Sequence, residues 1–319
     1  VREVINNIDY PGKIPVILPS KISDELTGKG FDVVIVGGGV IGLAIARELS
    51  RFDLKIALLE RHHDLGMDQT AHCNAMIHPA LLTERGTLKW EMNYKGNAMW
   101  DEVASQLDVD FKRIGTLVVA ENSDEELFLP GVVDLARSQN DPEPNMLDRE
   151  GLDRIEPGFA PNIKKGVLVW NTGIIGVFEL VIAYAENAWA NGVKFFLDTS
   201  AIGVRVEDGS VRAIETTRGT IKTSVLINAA GLYADKIAEF AGDKFFTIHP
   251  RKGETIIFDK SYRPAHTVLA TFSMVGEKNP YSKGGGVIPT VDGNLQFGPT
   301  AEAVIDREDV ATTAVARDT

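Results

Sequence analysis

Between residues 31 and 61 the chain reads FDVVIVGGGVIGLAIARELSRFDLKIALLER, and no other stretch narrows the fold as far. Residues 32–36 are a short β-branched apolar run, residues 37–42 a glycine turn, residues 41–52 an amphipathic helix, and residues 55–59 a second strand. This is a βαβ unit. Gly37, Gly39 and Gly42 fall as G-x-G-x-x-G: the first makes the turn, the second lets a pyrophosphate approach backbone N–H groups, and the third packs helix on strand. Glu60 closes the second strand 18 residues beyond Gly42, where a carboxylate accepts from both hydroxyls of an adenosine ribose. Strand, helix, strand and terminal acid in register predict dinucleotide binding. Glu60 also disfavours a 2′-phosphorylated cofactor, an inference that Arg61 beside it softens.

Composition removes competing classes. Of 319 residues, 33 are Lys or Arg and 45 Asp or Glu, and the net charge of -12 repels phosphate backbones and anionic bilayers. No apolar run approaches the ~18 residues of a transmembrane helix. Cys73 is the single cysteine, too few for a disulfide framework, a cysteine-rich zinc site or an iron–sulfur cluster, and it suits a reducing compartment. The chain opens at Val1 without a basic segment followed by an apolar one, so the expected address is cytoplasmic, with peripheral membrane association left open. The missing initiator Met implies residues ahead of Val1.

Farther along, residues 178–190 read as a helix, 193–197 as a strand, and 202–207, 211–217 and 220–222 as a meander punctuated by Asp208-Gly209 and Arg218-Gly219. Residues 225–228 form a buried strand ending in Ala229-Ala230-Gly231. A nicotinamide dehydrogenase would continue with βα units; helix, strand, meander and strand are instead the layout of a flavin-binding domain. Residues 87–107 predict a long helix whose Trp90, Met92, Met99 and Trp100 suit a buried face, 116–120 a strand, and the acidic residues 122–126 open a second helix. Residues 247–258, 267–272, 286–289 and 295–297 predict an antiparallel sheet. The acidic run 306–309 reads as solvated surface.

The segments quoted above, together with QTAHCNAMIHPALLTERGTLKWEMNYKGNAMW, IGTLVVA, VLINAAGLYAD, PRKGETIIFD and PTVDGNLQFGPTAE, resemble the FAD-dependent oxidoreductases of the D-amino-acid oxidase superfamily. Within it the chain is most similar to glycerol-3-phosphate dehydrogenases and oxidases, then to L-2-hydroxyglutarate oxidases. The resemblance implies an α/β fold: a Rossmann-like FAD-binding domain of glutathione-reductase type, βαβ plus β-meander, interleaved with a substrate domain of antiparallel sheet and helices. The expected boundaries are 1–30 for an N-terminal extension on the surface, 31–86 and 160–244 for the FAD domain, 87–159 and 245–300 for the substrate domain, and 301–319 for the start of a truncated C-terminal capping segment.

Carried over residue by residue, the resemblance puts Gly37, Gly39, Val40, Ile41 and Gly42 on the FAD pyrophosphate, Glu60 on the ribose and Arg61 beside the adenine. Gln69 and Thr70 lie along the phosphates, Asn74, Ala75, Met76 and Ile77 under the isoalloxazine, Ala201 against the adenine, and Ala230 and Gly231 beside the dinucleotide. The chain has His72-Cys73-Asn74 and His78-Pro79-Ala80 where relatives have a serine-rich stretch and His-Ala-Gly.

Oxidising a secondary alcohol needs its C–H held over the flavin N5 and a base for the hydroxyl proton. A lone histidine ordinarily reads as structural; the resemblance makes His78 the candidate base, its ordinary pKa lying near working pH. Lys283 is the second catalytic candidate, and Arg251 and Lys252 are candidates for binding an anionic substrate. His62, His63, His249 and His266 lack paired ligand spacing, so no metal is expected. The implied activity is oxidation of sn-glycerol 3-phosphate to dihydroxyacetone phosphate by hydride transfer to flavin. The alternatives are an L-2-hydroxyglutarate oxidase or dehydrogenase, a secondary-amine oxidase, or an inactive flavin-binding subunit. Quinone, oxygen and a partner subunit all stand as electron acceptors.

Overall fold

In a computed structural model that describes residues 19–139, 141, 143–261, 267–271 and 286–314, the apolar run after Phe31 forms the strand Val33–Val36, buried at all four positions. The chain divides into two units. The first comprises residues up to Cys73, Val177–Pro250 and Ala303–Asp309; the second comprises Asn74–Gly176, Arg251–Glu302 and residues from Val310 onward.

The first unit is built on a parallel four-stranded sheet in the order Val225–Asn228, Val33–Val36, Ile56–Leu59, Lys194–Phe196. Val33 lies opposite both Val225 and Ile56, so these three strands start level and end level, but Val225–Asn228 stands at the sheet edge and is half-exposed rather than the buried strand expected. Helices Val40–Leu49 and Val177–Ala190 pack on each other. Val34, Val36, Ala57 and Leu59 join Ile214, Ile221 and Ile237 in one core, while Ile35 and Leu58, on the opposite face by strand alternation, are also fully buried. A parallel sheet covered on both faces reads as unbroken apolar runs, as these do. The meander forms as Ala201–Glu207, Ser210–Thr216 and Gly219–Lys222, an antiparallel sheet.

Residues 19–30 are more than a strap on the surface. The N–H groups of Leu26, Gly28 and Phe31 donate to the carbonyls of Arg218, Thr220 and Lys222, and Leu26 is fully buried beside Ile214 and Ile221. One leucine among prolines and polar residues has no periodicity to announce that burial. In the run 306–309 the acids Asp306 and Glu308 are exposed, as a solvated run requires, but Arg307 between them is not. Arg307 makes a two-pronged ion pair with Asp235, at 2.6 and 2.7 Å, and donates to the carbonyls of Leu232 and Ile248.

The second unit holds a seven-stranded sheet in the order Ile256–Phe258, Leu295–Gly298, Gly286–Pro289, Val268–Thr271, Thr116–Val119, Gly166–Val169, Asn145–Leu147. Its pairs are antiparallel except Val268–Thr271 with Thr116–Val119, which run parallel, a pairing that needs a long connection rather than a hairpin. Val118, Val167 and Val169 pack under the helix Leu129–Ser138 on one face, and Leu117, Leu147, Leu152 and Leu168 form the core of the other. The helix expected to open at 122 is two: Ser123–Glu126, capped by the Asn122 side chain, and Leu129–Ser138, which starts afresh with Pro130 in its first turn. Of residues 247–258, only Arg251–Lys252 and Ile256–Phe258 are strands. The long helix Leu88–Leu107 buries only Asn97 and Ala104; Met92 and Met99 are about half exposed, contrary to the buried face expected of them.

Candidate active site

The tight turn after the first strand is enforced by space. Gly37 has φ +115°, and a Cβ there would sit 2.3 Å from the Ala229 carbonyl oxygen; on Gly42 it would sit 2.0 Å from the Gly37 oxygen. Only glycine meets these conditions, and the first turn of helix Val40–Leu49 consequently faces the carboxyl edge of the parallel sheet, where open α/β folds bind ligands. Thr70 Oγ1 accepts from the Val40 N–H at 3.1 Å. Among the described residues no group accepts from the Gly39 or Ile41 N–H, and the Ile41 side chain is 64% exposed. Undirected amides beside an uncovered aliphatic side chain at a helix N-terminus are what a dinucleotide pyrophosphate satisfies. The residues present fit that group.

Glu60 is 6% exposed, and each carboxylate oxygen takes one backbone donor: Oε2 from Gly38 N–H at 2.7 Å, Oε1 from His62 N–H at 2.8 Å. A carboxylate has about four acceptor positions, so two remain for ribose hydroxyls. Glu60 therefore also braces the glycine turn. Gln69 is exposed, with Oε1 2.8 Å from where a Gly231 Cβ would lie, so it packs on the backbone after the strand Val225–Asn228. Ala230 donates its N–H to Asn228 Oδ1, and Ala201 begins the meander opposite Thr216.

Arg61 is tied to its own unit. Its Nε and Nη2 donate to Asp68 at 3.2 and 2.8 Å, its Nη1 and Nη2 to Glu308 at 2.7 and 3.3 Å, and its guanidinium carbon lies 4.6 Å from the Tyr233 ring centre. His62 Nε2 is 3.1 Å from Asp68 Oδ1, and His62 is half-buried. Burial opposes ionisation of Asp68, but the bonds from Arg61 and then His62 hold its carboxyl below the ordinary range. Arg61 holds Glu308 down in the same way. Glu60, His62 and Asp68 bring one potential metal-ligand atom each within 4.8 Å of one another, but the Arg61 cation already neutralises Asp68.

In the second unit, Ala75 adopts φ +54°, Asn74 Oδ1 accepts from the Met76 N–H at 3.2 Å, and the two-residue strand Met76–Ile77 pairs with Gly173–Ile175. The exposed His78 follows directly, its carbonyl accepting from Asn97 Nδ2 at 2.8 Å. The same Nδ2 donates to the Asn171 carbonyl at 2.7 Å. Arg113 donates to Asn97 Oδ1, the Asn97 carbonyl, the Asn171 carbonyl and Asp101 Oδ2. A cleft of about 620 Å³ opens beside this knot, lined by Tyr94, Asn97, Asp101, Arg113, Gln139 and Trp170. Asn97 and Arg113 were not among the residues singled out from sequence. No sequence signal marked them: Asn97 and Ala104 are the buried positions of the helix, which only the structure shows. Arg251 and Lys252 form a short strand, Arg251 exposed and Lys252 half-buried. Lys283 and His266 lie outside the described residues.

A strand–glycine turn–helix cradle, a carboxylate closing the second strand, a meander and a separate mixed-sheet unit define a flavin-binding oxidoreductase of the Rossmann-like kind. The chain belongs to the FAD dependent oxidoreductase (DAO) family, whose model matches residues 32–319, and FAD is accordingly its cofactor. It is 40% identical over 286 residues to the glycerol 3-phosphate dehydrogenase of Caloramator mitchellensis, covering 89% of this chain and 58% of that protein. It is 26% identical over 294 residues to the mitochondrial L-2-hydroxyglutarate dehydrogenase of Nematostella vectensis, covering 87% of this chain and 64% of that one. The chain thus spans about six-tenths of the length of these relatives. Among solved structures, the dithionite-reduced, FAD-bound L-α-glycerophosphate oxidase of Mycoplasma pneumoniae superposes with a TM-score of 0.80 at 28% identity, over 90% of this chain and 76% of that one.

Proposed function

We propose that the protein oxidises sn-glycerol 3-phosphate to dihydroxyacetone phosphate. The observation that carries this reading is the 40% identity to a glycerol 3-phosphate dehydrogenase, extending over 286 residues. Bound FAD supplies a two-electron acceptor for hydride from the substrate carbinol carbon. The chain's own groups do the rest. Gly39 and Ile41 offer N–H groups to the pyrophosphate, and Glu60 offers its remaining acceptor positions to the ribose. His78 takes the hydroxyl proton as the carbinol C–H bond breaks, its backbone held by Asn97 so that the ring swings from a fixed point. Lys283, Arg251 and Lys252 are the cations proposed for the substrate phosphate, a local charge opposing the net -12 of the whole chain.

The second reading, an L-2-hydroxyglutarate dehydrogenase, is favoured by the 26% identity to the Nematostella enzyme. Both substrates are small anions with a secondary hydroxyl, so the same cradle and base serve either. Quinone, oxygen or a partner subunit would reoxidise the flavin. No helix among the described residues is long and apolar enough to cross a membrane.

Anaerobic titration of the purified holoprotein decides between the readings. Bleaching of the flavin band near ~450 nm by glycerol 3-phosphate, and not by L-2-hydroxyglutarate or sarcosine, is the expected result. Bleaching by another of these reassigns the substrate, and a flavin that none of them bleaches points to an inactive flavin-binding subunit.

A further inference from the structure

The segment Ala303–Asp309 is distant in sequence from the glycine turn yet belongs to the same unit, and it ends on the residue that follows the ribose carboxylate. Glu308 Oε1 accepts from both the Arg61 Nη1–H and the Tyr233 hydroxyl. Tyr233 stands two residues beyond Gly231, at the carboxyl end of the strand beside the first. Asp68 grips the other edge of Arg61 through Nε and Nη2, and an oxygen of Asp68 lies within 4.8 Å of an oxygen of Glu60. Next along the chain, Arg307 locks onto Asp235, with its guanidinium carbon 5.4 Å from the Tyr233 ring centre. Segments 61–68, 231–235 and 306–308 are thereby joined by two ionic groups, Asp68–Arg61–Glu308 and Arg307–Asp235, that meet at the Tyr233 ring and adjoin Glu60.

A guanidinium paired along both edges retains only its planar faces for further contact, and one of those is directed at Tyr233. Its orientation is no longer its own to choose. From this geometry we infer that Glu308 and Tyr233 are positioning residues for FAD: they close the segment 306–308 over the adenosine end of the site as a clasp, acting through Arg61, and slow departure of the cofactor. The inference rests on the reading of Glu60 as ribose acceptor, and the experiment separates the two.

Glu308→Gln, Tyr233→Phe and Glu60→Gln holoproteins are diluted into buffer and FAD release is followed by the rise of flavin fluorescence, alongside melting temperatures of the apo and FAD-loaded forms. The Gln and Phe variants keep shape while removing the charge or the hydroxyl. Loss of a hydrogen bond to a charged group predicts release about tenfold faster for Glu308→Gln and a smaller effect for Tyr233→Phe. The gap between apo and loaded melting temperatures narrows in both. If release and gap match the unaltered protein in both clasp variants while Glu60→Gln speeds release, the clasp is overturned and Glu60 stands. If all three retain FAD as the unaltered protein does, both the clasp and the ribose reading fall. Equal lowering of apo and loaded melting temperatures, with unchanged release, also overturns the clasp, since that is the signature of a purely structural ion pair. Should Glu308→Gln fail to fold, Tyr233→Phe, which retains ring and ion pair, decides alone.

Discussion

Glu60 Oε2 accepts the Gly38 N–H at 2.7 Å, so the carboxylate that closes the second strand also holds the glycine turn beside the first. The two parts of the dinucleotide signature are therefore mechanically one. Glu60→Ala strands two backbone donors, Gly38 and His62, at a site 6% exposed. A loss of about 1–3 kcal/mol in apoprotein stability is expected, together with weaker FAD binding. Urea unfolding of the apoprotein checks the first and fluorescence titration with FAD the second.

Gly42→Ala places a methyl group 2.0 Å from the Gly37 carbonyl oxygen, where backbone and not a mobile side chain is the obstacle. The helix must move away from the strand. Destabilisation of about 1–3 kcal/mol is expected, with loss of bound flavin, whereas Gly96→Ala, in the interior of helix Leu88–Leu107 with nothing within 4 Å of its Cβ, is the control, expected to gain about 0.5–1 kcal/mol and keep its flavin. Thermal unfolding and the flavin-to-protein absorbance ratio read both.

Asn97→Asp keeps the acceptor for Arg113 but replaces the donor that the His78 and Asn171 carbonyls share. The His78 carbonyl loses this donor, the Asn171 carbonyl keeps only Arg113, and a carboxylate oxygen now faces both, at a cost of about 1–3 kcal/mol. If His78 is the base, kcat falls more than KM rises and the acid limb of the pH profile moves; steady-state kinetics across pH is the measurement. A variant with reduced stability and unchanged kinetics removes Asn97 from any role in placing His78.

Asp235 links acid stability to the clasp. Burial alone would raise its carboxyl, but the hydrogen bonds from Arg307 and the Ile248 N–H outweigh that and hold it below the ordinary value. Its folded-state pKa is thus below its unfolded one. The stabilisation is complete above the unfolded carboxylate value of about 3.9 and is lost as pH falls through the folded value. Asp235→Asn therefore lowers the melting temperature at neutral pH and flattens its fall on acidification. A parallel acid limb in variant and unaltered protein would remove Asp235 from that transition.

The βαβ unit was legible because each of its requirements is local: a β-branched run, glycines where a Cβ would strike backbone, a helical apolar stripe, and an acid at the strand end. The meander was legible for the same reason, each turn marked by a glycine. The centre of the second unit was not. Gly166–Val169 and Gly173–Ile175 are runs of three or four residues whose pairing partners lie tens of residues away, and so short a run carries no period of its own. Nor did the sequence mark Asn97 and Arg113, ordinary polar residues in a helix and a strand, as the knot behind His78.

The one-dimensional pattern alone determined the cofactor class, since glycine spacing and strand-end charge act within some thirty residues. Which charges face one another was decided by tertiary structure. Glu308 reads as one acid in a solvated run, and only chain closure brings it to Arg61, 247 residues away. Electrostatic pairing acts over a few ångströms of space whatever the separation along the chain, so its partners appear only once the backbone has returned to the same edge of the sheet.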